Sequence, residues 1–96
     1  MANFELSEEA DHDLTDIYVY TYKQFSPTQA DSYLNSLDEI FLHLASYPRV
    51  GRHMGPGYPD YFRYEHASHV IFYQQQSTGI FIVRVLHNSM DPERHL

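Results

Sequence analysis

Up to Pro48 the apolar residues recur at helical spacing, and after Asp60 they fall into short strand-like runs. The switch happens once. Between the two regimes lies "PRVGRHMGPGYPD", which holds three of the four glycines and three of the five prolines and reads as a loop. Helices in the first half and most of the strands in the second point to an α+β domain with the helices segregated to one face of an antiparallel sheet.

The helical half divides in two. In "LSEEADHDLTDIYVYTYKQF", Ser7 is placed to cap a helix, and Glu8 and Glu9 sit in a first turn where the helix dipole favours anions. Ala10, Leu14, Ile17, Tyr18, Thr21 and Phe25 share one face at helical spacing. "SPTQADSYLNSLDEIFLHLASYP" is the clearest element. Ser26, Pro27 and Gln29 supply an N-cap, a first-position proline and a capping partner. Leu34, Leu37, Ile40, Phe41 and Leu44 form its stripe, and Pro48 forbids continuation. So short a break between the two helices predicts an antiparallel hairpin.

Three β-rich runs follow, "YFRYEHA", "SHVIFYQQQ" and "GIFIVRVLH", parted by turns short enough for a meander. "NFEL" at the start is expected to be an edge strand. The predicted order is β-α-α-β-β-β in one domain over residues 1–96. Strict alternation puts Phe81, Val83 and Val85, with Val70 and Phe72, on the helix side. Arg84 then falls on the other face with Ile80, Ile82 and Leu86, on a surface expected to be apolar, wet and open to a partner. The alternative is an internal carboxylate partner for Arg84, since half-buried arginines are usually paired.

Ninety-six residues bury roughly 60–70% of their unfolded surface, enough for one core without staples. There is no cysteine, hence no disulfide framework and no thiolate chemistry. The start, "MANFELSEEADHDL", has neither the basic nor the apolar region of a secretory signal, and no stretch reaches the ~20 apolar residues of a membrane span. A soluble cytoplasmic protein is the expectation. Six Lys+Arg against thirteen Asp+Glu give a formal charge of −7, which opposes direct nucleic-acid binding. Acidic residues crowd positions 5 to 16, whereas five of the six basic residues lie at 49 or later.

"LSEEADHDLTDIYVYT", "QADSYLNSL", "LASYPRVGR", "SHVIFY" and "IVRVLHNSMDPERHL" together, in this order and spacing, resemble the ParE-type toxins of bacterial toxin–antitoxin modules, within the RelE/ParE superfamily. The family fold is a helical hairpin on a small antiparallel sheet, in agreement with the order read from periodicity. The resemblance implies a toxin that inhibits DNA gyrase and is neutralised by a cognate ParD-like antitoxin. The antitoxin's C-terminal segment is expected to wrap the hairpin and the sheet, with Tyr18, Tyr22, Tyr33 and Leu37 as its contacts. In so acidic a chain that contact is expected to be mostly hydrophobic, or the antitoxin segment relatively basic. Arg63, Arg84, His87, Arg94 and His95 are the candidates for a target-facing patch.

RelE-type relatives instead cut messenger RNA on the ribosome. Such chemistry needs a base, an acid and cations on the phosphate, for which Arg63, Arg84 and His87 with Glu65 or Glu93 are the available groups. The chain lacks a lysine- and arginine-rich cluster, so the inhibitor reading, with no catalytic residue, is preferred. A third reading is a non-toxic module that only binds its antitoxin. No cofactor is expected. His66 and His69 lie close in "HASH", but no cysteine completes a zinc set, so no metal site is expected. "GRHMGPG" lacks the strand and helix of a phosphate loop.

Overall fold

A computed structural model describes residues 3–96. The elements are β1 (Asn3–Leu6), α1 (Glu8–Gln24), α2 (Pro27–Ser46), β2 (Arg52–His53), β3 (Tyr61–His66), β4 (His69–Gln76), β5 (Gly79–His87) and a short α3 (Pro92–His95). The expected order is present, with a two-residue strand added inside the loop and one helical turn in the tail. The caps are those the sequence offers. Ser7 Oγ accepts from Ala10 N–H and Ser26 Oγ accepts from Gln29 N–H. Ser7 also donates its hydroxyl to Val83 O at 2.6 Å, which ties the start of α1 to β5.

The sheet runs β1-β5-β4-β3-β2. β1 lies parallel to β5, and the other pairs are antiparallel. Gly79 sits opposite Asn3 with φ +149, where an added Cβ would lie 1.7 Å from Asn3 O. Only glycine lets the two strands approach there. Gly51 is fixed by a different neighbour. The buried Tyr73 hydroxyl donates to Pro48 O and accepts from Gly51 N–H, and a Cβ on Gly51 would meet that oxygen at 2.3 Å.

The expected assignment of faces is overturned. Phe72 pairs with Arg84 but Tyr73 pairs with Ile82, so Val83 is an extra residue and β5 carries a bulge. The bulge breaks the alternation on which the assignment rested. The core under the helices contains Ile71, Tyr73, Ile80, Ile82 and Val85, with Ala10, Ile17, Leu37, Phe41 and Leu44 from the helices. Val85 is therefore on the expected side. Val70 and Phe72 lie opposite the helices in a second, smaller cluster with Leu86, closed by Met54 and Leu96. That second face is not a wet apolar surface, because the loop before β3 and the C-terminal tail cover its centre. A strand that is apolar on both faces gives the sequence no means of choosing between them.

Leu37, expected both in the apolar stripe of α2 and with a side exposed to the antitoxin, is fully buried in the main core. It serves packing, not contact with a partner.

Candidate functional site

The apolar stripe of α1 does two jobs. Its first part, Ala10 and Ile17, enters the core. Its continuation overhangs the sheet, and Tyr20 and Phe25 are 62% and 65% exposed. The overhang leaves an open groove of about 810 Å³ beneath the hairpin, between Asp13–Phe25 on one helix, Gln29–Ser36 on the other, and the ends of β4 and β5. The tail closes one side through Met90 and His95.

Three histidines stand in register across three strands, and two of them, His69 and His87, line the sheet side of the groove. His66 pairs with His69, and His69 pairs with His87. Each is within hydrogen-bond distance of a hydroxyl. Tyr33 Oη lies 2.6 Å from His69 Nδ1, Ser36 Oγ 3.2 Å from His66 Nε2, and Ser89 Oγ 2.7 Å from His87 Nδ1. The His69 and His87 rings meet edge to face at 5.6 Å, and Tyr33 stacks on His66 at 5.9 Å. Burial pushes the His69 pKa below the usual histidine value; charge on His87 and His66 adds to the shift, and Asp13 opposes it. Burial raises the Tyr33 pKa, keeping its hydroxyl protonated.

Arg84 forms a second centre at the groove's inner end. Its Nε and Nη2 each donate to an Asp13 carboxylate oxygen at 2.8 Å, and Nη1 donates to His95 O at 3.0 Å. Glu9 lies 3.5 Å away. Asp13 also accepts from Val85 N–H at 3.0 Å. Hydrogen bonding to Asp13 raises the Arg84 pKa and keeps the guanidinium charged. Of the two sequence readings for Arg84, the geometry is that of the internal carboxylate.

The five candidate target residues do not form one patch. Arg84, His87 and His95 line the groove. Arg63 pairs with Phe72 on the face opposite the helices, where its guanidinium lies 5.8 Å from the Phe72 ring. It shares Glu65 with Arg52, and its Nε has no hydrogen-bond partner among the described residues. Arg94 is exposed on α3. Of the expected antitoxin contacts, Tyr33 lines the groove. Tyr18 donates to Asp31 at 2.9 Å across the hairpin and neighbours the half-exposed Tyr22; both lie outside the groove. Sequence reasoning missed Tyr20 and Met90 and weighed His69 only for a metal site. Tyr20 is three residues beyond Ile17 on the same stripe, a signal that could have placed it. Met90 carries no local signal. Among the described residues no group of three His, Cys, Asp or Glu is placed to hold a metal ion, and no helix is long and apolar enough to cross a membrane.

A hairpin laid on one face of a small sheet, with its tip overhanging a groove, defines the fold class. The same fold occurs in a chain of the "Chromosomal ParDE TA system from P. aeruginosa", at a TM-score of 0.74 and 19% identity, over 91% of this chain and 96% of that one. Residues 4–92 match the family described as "ParE toxin of type II toxin-antitoxin system, parDE". The chain is 35% identical to "Toxin ParE1" of Mycobacterium tuberculosis, over 99% of this chain and 98% of that protein. It is 34% identical to "Toxin ParE1" of Caulobacter vibrioides, over 100% and 99%. The chain belongs to the ParE toxin family of type II toxin–antitoxin systems.

Proposed function

We propose that the chain is a growth-inhibiting toxin that acts on DNA gyrase and is silenced when a ParD-like antitoxin occupies the groove under the hairpin tip. The observation that carries the antitoxin assignment is the overhang. Tyr20 and Phe25 expose large aromatic surface beside a concave, partly apolar site, the kind of surface onto which a disordered segment folds. Tyr33 belongs to that contact; Tyr18 and Tyr22 extend it along the outer hairpin. The gyrase assignment rests on family membership. His87 and Arg94, both exposed, are the target-facing groups most available, with Arg63 on the far face and His95 beside Arg84.

Two features favour inhibition by binding over RNA cleavage. Arg84 has its donors engaged by Asp13 and His95 O, and Arg63 lies on the opposite face from His87. The ribonuclease set named above is therefore not brought together. Pulse labelling after tight induction tests the reading. DNA synthesis is expected to fail first and to recover when the antitoxin is co-expressed. Protein synthesis failing first would overturn the gyrase assignment.

A further inference from the structure

The histidine row adds a chemical requirement to the groove. Ile17, Tyr20, Phe25, Val85 and Met90 make its walls apolar. The carboxylates of α1 stand at the same wall, where Asp13 is held by Arg84 and Asp16 is exposed without a salt-bridge partner among the described residues. A carboxylate on an incoming segment would meet the like charge of Asp16, while the Arg84 guanidinium is already engaged by Asp13. An apolar side chain would meet matching walls. We propose that the antitoxin segment seated here is apolar where it meets His69 and His87 and carries no carboxylate there, so that it is held at neutral pH and released on acidification.

The physical reason is desolvation. His87 is exposed and His69 half-buried in the free protein, and an apolar occupant would take both further from water. That favours the neutral ring. Protons then compete with the occupant once the pH falls to the ordinary histidine range near ~6.5. The groups facing the row pull both ways. His87 and His66 oppose charge on the ring of His69; Asp13 on α1 favours it; Tyr33 and Ser36 on α2 contribute only hydroxyls; Asp16, Arg84 and His95 line the same groove. A second proton in a row with rings 5.6 Å apart places like charges on neighbouring strands, which is destabilising.

The inference rests on the groove being the antitoxin's seat, and the experiment separates the two. The antitoxin from this chain's own operon is titrated into the intact toxin between about pH 8 and about pH 5.5, by calorimetry in two buffers of different ionisation enthalpy. Circular dichroism confirms folding at each pH. The affinity is expected to fall on acidification, approaching about tenfold per pH unit for each histidine kept neutral once the pH is below that ring's pKa in the free protein, which for His69 lies below ~6.5, with proton release on binding. The combined variant His69→Gln, His87→Gln is expected to lose most of that dependence, whatever its affinity at pH 8. Binding at pH 8 with a flat profile, or binding that tightens in acid, would overturn the inference and leave the antitoxin reading standing. Tightening in acid is what a carboxylate seated on the row would give. No binding at pH 8, or binding unaffected by Phe25→Asp, would overturn both.

Discussion

Asp13→Ala is expected to destabilise the protein by about 3 kcal/mol. Asp13 accepts three hydrogen bonds, two from Arg84 at 2.8 Å and one from Val85 N–H at 3.0 Å. Bonds to a charged group contribute ~1.5–3 kcal/mol each when taken singly. They are not additive, because one side chain makes all three. The better guide is removal of one member of a buried ion pair, which costs ~3–5 kcal/mol since the other charge stays behind unpaired. The side chains are 16% and 12% exposed, so some water reaches the pair and the lower end of that range applies. For a domain of this size each kcal/mol shifts Tm by ~4–8 °C, so a drop of roughly 12–24 °C is expected. Urea denaturation of the wild type, the two single variants and the double variant Asp13→Ala, Arg84→Met measures it. The double variant leaves no unpaired charge and should be more stable than Asp13→Ala alone. A loss below ~1 kcal/mol, or single effects that simply add, would refute the account of Arg84 as an internally paired residue.

Three further outcomes follow from the same geometry. Leu37→Ala should cost ~2–5 kcal/mol by thermal melting, because the side chain is fully buried, and should change antitoxin affinity only through stability. Tyr73→Phe should cost ~1–3 kcal/mol, because it strips partners from Pro48 O and Gly51 N–H; an unchanged melting point would show that the loop does not need them. The lowered pKa of His69 means the folded state binds fewer protons than the unfolded chain as the pH drops. Stability should therefore be constant above ~6.5 and decline as pH falls from there toward the folded-state pKa, with a shallower decline in His69→Gln.

The order of elements, both N-caps, the hairpin and the edge strand "NFEL" were legible because each depends on residues within a few positions of one another. What was not legible depends on contacts across the fold. The bulge at Val83 is set by pairing with β4, and it turned over the faces of both central strands. Leu37 was legible as a member of the α2 stripe, but the depth at which it lies was not, and that depth leaves it no exposed side. The histidine row unites positions 66, 69 and 87, and only strand register brings the third beside the first two.

Arg84 shows how these pieces depend on one another. β1 pairs with β5 only as far as Ile82, so beyond that point the outer edge of β5 has backbone groups without a strand partner. α1 starts immediately after β1 and must pass along this edge. Ser7 N–H closes on Ile82 O, Ser7 Oγ on Val83 O, and Asp13 takes Val85 N–H. A carboxylate brought that close to the strand demands a cation, and Arg84 is the adjacent residue on the strand. The guanidinium then has a donor free for His95 O, which fastens the tail beside the groove. The arginine in the middle of an apolar strand is thus required by the shortness of β1. Extending β1 by two residues should remove the need for Asp13 and Arg84 together, and neither one alone.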